Sequence, residues 1–527
     1  MLNKAFKIAV KYEIFLLPLL SAVLFALSLP DISFTPAAFI ALVPLFVLMN
    51  RLSSFRQCIA ASFSWGFFFT IFMGFFLKFA VIDHYEFSWL TFLLFFIFGV
   101  VLPNSLIFMF FSGSFYYLKG DEKGGSVFPA IFRVTALPAL WILHEYIKET
   151  VPFSLPWAGA GYTLSGTSLL IQAADIGGLY FLSFIVAAVN SAAAALIIIF
   201  TGTWNLRAAL IRPDVRVYMV TLVCIGLFLP LYGIVSVSSV DRAAESAVTD
   251  NLMIKAYAVQ ASHSNKERWD SSAQFMTISD YVGLSAFRKE ERSLTVWPET
   301  IVTSPGHLND RFFAALASLL NEGSVLVAGA VRPGRAPGAQ HNSAMVIGGD
   351  STLHWYDKVI LLPFSETAPL GLGFGSIYDA PSVFTPGTER GPVSSAVGPL
   401  SVSICFEVMY PYKQREAVRA GAAYLVNISN DSWFGEHSQP MTHLAGAVMR
   451  SVENRRYMVR ASNSGYSAVI DPAGRVIISG INKKERIEGS VYPVRGLTLY
   501  SRFGDWIIIA AVLIVLVSAY YSGRGGQ

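Results

Sequence analysis

"LSVSICFEVMYP", residues 400–411, runs an alternating apolar stretch into a thiol and then a carboxylate. Leu400, Val402 and Ile404 alternate with Ser401 and Ser403, the period of a strand with one buried face. Cys405 stands where that run stops, with Phe406 and Glu407 directly behind it. The chain has only three cysteines, and the other two, Cys58 and Cys224, sit inside long apolar stretches. Three such residues give no disulfide framework and no zinc spacing.

Two further segments share this layout. "RSLTVWPET", 292–300, takes a β-rich run into Glu299. "STLHWYDKVILLPFSE", 351–366, takes a strand into Lys358 and reaches Glu366 eight residues later. Open α/β sheets carry their sites beyond strand ends. Each residue alone has an ordinary reading: a small buried hydrophobe for Cys405, a solvated loop lysine for Lys358, a helix cap for Glu299. As a set they are chemically complete. A thiol ionises freely only near about pH 8.5 and needs a base or a positive field. A carboxylate takes its proton, and an ammonium stabilises first the thiolate and then the oxyanion of a tetrahedral intermediate. That is acyl transfer without histidine or metal. "GLGFG", 371–375, lacks the Lys-Ser/Thr of a phosphate loop, and His437 and His443 have no third ligand in pattern, so no metal is assigned.

The surrounding chain is a membrane protein. Of its 527 residues, 54% are hydrophobic and 14% charged, against about 25% charged in soluble domains. The mean hydropathy is +0.52. A net charge of +4 is too small to point to nucleic acid. Runs long enough to span a bilayer lie near 13–29, 36–50, 57–80, 88–117, 127–147, 177–201 and 216–238, with an eighth at 506–521. The second is short, and the first is read as a retained helix rather than a removed signal. Glu145, at the outer end of the fifth run, is a candidate by its position, either functional or interfacial. The expected domains are 1–240, membrane; 241–503, catalytic α/β; and 504–527, a last span and tail.

Lys and Arg cluster in alternate loops: Lys4, Lys7 and Lys11; Arg51 and Arg56; Lys119, Lys123 and Arg133; Arg207, Arg212 and Arg216. The intervening loops carry almost none, so the basic side is cytoplasmic and the large domain extracytoplasmic.

With these residues in hand, the chain resembles the apolipoprotein N-acyltransferase family, membrane-embedded members of the nitrilase (carbon–nitrogen hydrolase) superfamily. The motifs are "VWPE" at 296–299, "YDKVILLPFSE" at 356–366, "ICFE" at 404–407, "NDSWFG" at 430–435 and "RSVENRRYMVRASNSGYSAVIDPAGRV" at 450–476. "LPWAGAGYT" at 155–163 and "IQAADIGGLYFLSFIVAAVN" at 171–190 extend the likeness into the membrane part. The resemblance implies about eight spans plus an extracytoplasmic α-β-β-α sandwich of the nitrilase kind. It implies Glu299 as general base, Lys358 as oxyanion-stabilising lysine and Cys405 as nucleophile. It places Glu366 and Glu407 around the site as supporting carboxylates, with Trp269 and Trp433 as supporting or substrate-binding aromatics. Phe406 stands where the family commonly has tyrosine, leaving an aromatic packing role.

The implied reaction moves a fatty acyl chain from a phospholipid to the α-amine of a diacylglyceryl-cysteine on an apolipoprotein, through a Cys405 thioester and without a cofactor. The implied setting is the bacterial cytoplasmic membrane, with the catalytic domain on the periplasmic side and the chain a monomer. A membrane-tethered nitrilase-type amidase is the alternative enzyme, and a transporter the alternative of another class; few charges and no paired broken helices speak against the latter. Two Gly- and Pro-bearing loops, 362–378 and 429–441, are candidate lids over the site.

Overall fold

The computed structural model describes residues 2–118, 127–150, 156–203, 206–288, 291–375, 381, 383–435 and 439–524. The chain forms two compact units. One comprises Met1–Phe75, Ser88–Ile234 and Asp505–Gln527; the other comprises Phe76–Phe87 and Val235–Gly504.

The first unit is helical. Among the described residues, five helices are long and apolar enough to cross a membrane: Phe55–Gly74, Trp89–Leu118, Ala130–Thr150, Ala174–Thr203 and Pro213–Thr249. Three shorter apolar helices, Tyr12–Ser28, Thr35–Arg51 and Trp506–Tyr521, fall at the other three expected spans. Proline accounts for the break in the second of these: Pro36 opens a 3₁₀ turn at Thr35–Phe39, and Pro44 restarts an α-helix over Val43–Arg51. The third expected span stops at Gly74 rather than near 80. The seventh continues to Thr249, through "DRAAESAVT", which holds neither glycine nor proline. Small residues allow close packing. A Cβ on Gly66 would lie 2.8 Å from the Phe108 ring and 2.9 Å from Ser105 Cα. Glu145 is buried, and its Oε1 accepts from Trp141 Nε1 and from the Ala160 backbone N–H, both at 2.8 Å. It thus braces the "AGAGYT" segment.

The second unit contains two sheets. Its strands are β1 (Ile254–Gln260), β2 (Ser293–Val296), β3 (Val325–Pro333), β4 (Gln340–Gly348), β5 (Leu353–Asp357), β6 (Leu400–Ile404), β7 (Tyr424–Ser429), β8 (Met458–Ser462), β9 (Ala468–Ile470), β10 (Val476–Ile478) and β11 (Glu485–Val491). One sheet runs β11-β1-β2-β3-β4-β5 and the other β10-β9-β8-β7-β6. Strand β1 faces β8 and β4 faces β6 across the interface. A Cβ on Gly489 of β11 would meet Val469 of β9 at 2.7 Å, so glycine is what lets the sheets close there. Helices Gln274–Ser285 and Asp310–Ser318 cover the first sheet through Ile278, Tyr281 and Leu316, packed on Trp297, Leu326 and Met345. Helices Pro411–Arg419 and Pro440–Asn454 pack on the second. The layers are helix, sheet, sheet, helix. The three runs read from sequence are β2, β5 and β6, and each ends directly before, or within three residues of, its ionisable group.

Candidate active site

Strand β6 is buried throughout and pairs in parallel with β7, Ile404 opposite Ile428. Cys405 follows at once, at φ 52°, and opens a 3₁₀ turn over Cys405–Met409. Left-handed backbone on a non-glycine residue is costly and must be held by its surroundings. Here the Cys405 carbonyl accepts from His443 Nε2 at 3.2 Å and from Asn427 Nδ2 at 3.4 Å. His443 in turn contacts Asp431 at 2.9 Å, and Asp431 takes a 2.6 Å bond from Arg460, all fully buried.

Glu299 lies in the turn after β2. Its approach to β3 depends on Gly329, where a Cβ would sit 2.4 Å from the Pro298 oxygen and 2.6 Å from Glu299 Cα. Arg268 Nη1 holds the Glu299 carbonyl at 3.0 Å. The carboxylate accepts at Oε1 from Asn342 (2.7 Å) and Lys358 (3.3 Å), and at Oε2 from the Asn430 backbone N–H (3.1 Å). Lys358, just past β5 and 2% exposed, donates also to Glu366 Oε1 at 2.8 Å. Glu366 closes the array by accepting from Asn342 (2.9 Å) and from the Leu362 N–H (2.7 Å).

Cys405, Glu299, Lys358 and Glu366 line one cavity of about 690 Å³, counted with its open mouth, together with Asn265, Arg268, Trp269, Asn342, Asn430, Trp433 and Tyr85. Burial pushes the Cys405 thiol up, and the Glu299 carboxylate pushes it further, while Lys358 opposes both. Burial by itself would lower the Lys358 ammonium, but the Glu299 and Glu366 carboxylates outweigh it and hold the group well above the ordinary lysine value. The resting site is therefore a neutral thiol beside a fixed ammonium. Any nucleophilic role for Cys405 requires its proton to leave during attack.

The expected supporting residues divide. Trp269 and Trp433 line the cavity. Phe406 packs edge-on against Tyr410, with ring centroids 5.4 Å apart. Glu407 is a brace: its two oxygens accept from Tyr356 Oη (2.9 Å to each), Val359 N (2.8 Å), Ile360 N (3.0 Å) and Ile404 N (2.8 Å). It ties the backbone after Lys358 to the backbone before Cys405. Asn342 and Asn430 were not anticipated, and the only local signal for Asn342 is its place in the polar run 340–343 that opens β4. Tyr85 gave none. It comes from the Phe76–Phe87 segment, which reads locally as the end of the third span and a short loop after it. His437 and parts of both candidate lids, 376–378 and 436–438, lie outside the described residues.

Residues 255–488 match the carbon-nitrogen hydrolase family, and this unit is a domain of that class. Residues 21–192 match the apolipoprotein N-acyltransferase N-terminal domain. The apolipoprotein N-acyltransferase of Geobacter metallireducens is 29% identical over 524 residues, covering 96% of this chain and 95% of its own. That of Bradyrhizobium diazoefficiens is 29% identical over 398 residues, covering 73% of this chain and 72% of its own. Among solved structures, Saccharomyces cerevisiae Nit3, a member of branch 10 of the nitrilase superfamily, is similar at 20% identity and a TM-score of 0.36, covering 46% of this chain and 91% of its own. Along nearly its whole length the chain is similar to apolipoprotein N-acyltransferases.

Proposed function

We propose that this acyltransferase carries a fatty acyl group on Cys405 between a phospholipid and the α-amine of a diacylglyceryl-cysteine at an apolipoprotein N-terminus. The observation that supports this most is the meeting of Cys405, Glu299 and Lys358 in one buried cavity. In the first half-reaction Cys405 Sγ attacks the ester carbonyl as Glu299 takes the thiol proton. Lys358 faces the developing oxyanion. When the tetrahedral intermediate collapses, the C–O bond breaks, Glu299 returns the proton to the leaving oxygen, and a lysophospholipid departs. In the second half-reaction the neutral α-amine attacks the thioester, Glu299 accepts a proton from nitrogen, and the thiol leaves reprotonated with an amide formed. Glu366 and Asn342 hold Lys358 and Glu299 in register throughout.

The setting proposed is a bacterial cytoplasmic membrane crossed eight times, with the catalytic unit on the outer, periplasmic side, which the loop charges favour. Mass spectrometry of lipoprotein N-termini from cells with and without this protein tests the function. The third acyl chain should be present only in the first sample, and its presence in both would overturn the assignment.

A further inference from the structure

The charged part of the cavity accommodates a reacting carbonyl, but a fatty ester also brings methylenes that need an apolar wall. Leu362, Trp269, Phe384, Trp433 and Tyr85 supply such a lining. Two of them form a continuous surface. The rings of Tyr85 and Trp433 lie 5.8 Å apart and within 22° of parallel, and Phe374 adds a third ring 4.9 Å from Tyr85. Polar contacts set the position of this surface. Tyr85 Oη and Ser365 Oγ are 2.9 Å apart, beside Glu366, and His84 Nε2 meets the Ser432 carbonyl at 2.7 Å, beside Trp433. Phe76 packs on Phe434 with centroids at 5.3 Å, and the Phe79 ring lies against Gly435. The segment is thereby pinned to both loops that frame the cavity. In sequence, Tyr85 precedes Trp89, the first residue of an apolar helix long enough to span a bilayer.

We propose that Tyr85 and Trp433 form the shelf that receives the first methylenes of the donor acyl chain, making Tyr85 a specificity-determining residue of the acylation half-reaction. This rests on the acyl-enzyme reading above. Burial of about two methylenes corresponds to roughly tenfold in binding, so chain preference is the quantity to read.

The test uses the full-length protein in detergent, with p-nitrophenyl octanoate and p-nitrophenyl acetate as donors. The single-turnover release of p-nitrophenol gives the loading rate for each. The octanoate-to-acetate ratio should fall about tenfold in Tyr85→Ala. It should keep its wild-type value in Tyr85→Phe, which retains the ring and loses only the Ser365 contact. Trp433→Ala, which removes the other half of the shelf and leaves the Phe76–Phe87 segment intact, should lower the ratio as Tyr85→Ala does. Equal losses with both esters would mark Tyr85 as a purely structural residue and overturn the proposal alone. A ratio that falls as far in Tyr85→Phe would assign the effect to the hydroxyl and overturn it too. Absence of any adduct on wild-type Cys405 would overturn the acyl-enzyme reading and the shelf with it.

Discussion

Glu299→Gln is expected to stop acyl loading of Cys405 while making its thiol easier to ionise. The two effects have separate causes. The Glu299 carboxylate is the second-largest influence raising the thiol, after burial, and it opposes Lys358. Removing that charge lets the Lys358 ammonium act with less opposition, so thiolate forms at lower pH. Alkylation of Cys405 by iodoacetamide, followed by mass spectrometry across a pH series, should shift to lower pH in the variant. Loading from phospholipid should nevertheless fall by about 10²-fold or more, the usual contribution of a positioned base. The amide can still accept from Asn342 and Lys358, losing chiefly its bond from the Asn430 N–H. A variant whose more acidic thiol loaded as fast as wild type would show that a preformed thiolate reacts and that Glu299 is no base.

Glu407→Ala should be the most damaging substitution to the fold around the site. The side chain is fully buried and accepts from three backbone N–H groups and a tyrosine hydroxyl. Alanine leaves four donors without their acceptor, those of Ile404 and Tyr356 buried and those of Val359 and Ile360 partly so. Each such loss costs about 1–3 kcal/mol, against a net stability of about 5–15 kcal/mol for a typical domain. We expect the protein to accumulate poorly, or its thermal midpoint to fall by about 10 °C or more. Glu407→Gln keeps one acceptor oxygen and should fold, with slowed loading because the residues flanking Lys358 and Cys405 shift. Wild-type melting and loading in Glu407→Ala would contradict the bracing role.

The contrast between Glu407 and Cys405 shows what a sequence makes visible. Cys405, Lys358 and Glu299 were readable because chemistry interrupts a regular pattern, and the apolar or alternating run before each also locates the strand end that presents it. Glu407 was readable as a carboxylate near a thiol, but two of the three backbone N–H groups it holds, those of Val359 and Ile360, lie 48 and 47 positions away in sequence, which no local pattern records. Asn342 lay between these cases, one of four polar residues, 340–343, that open a strand whose remainder is apolar. Tyr85 was invisible for a different reason. Hydropathy places it in a short connection between two spans, and only tertiary contacts carry it into the cavity. Hydropathy also read eight apolar segments in series, while proline, at positions 36 and 44, decides that the second is two short helical pieces.

The central claim is that Cys405 is an acyl carrier. Its most direct test is peptide-resolved mass spectrometry of the purified protein after incubation with phospholipid and no acceptor. The account predicts a fatty acyl mass on the Cys405 peptide, removed by neutral hydroxylamine. A diacylated peptide with a free α-amine should discharge it, and the same peptide N-acetylated should not. Wild-type protein that N-acylates the peptide at full rate while Cys405 never bears the acyl group would contradict the account.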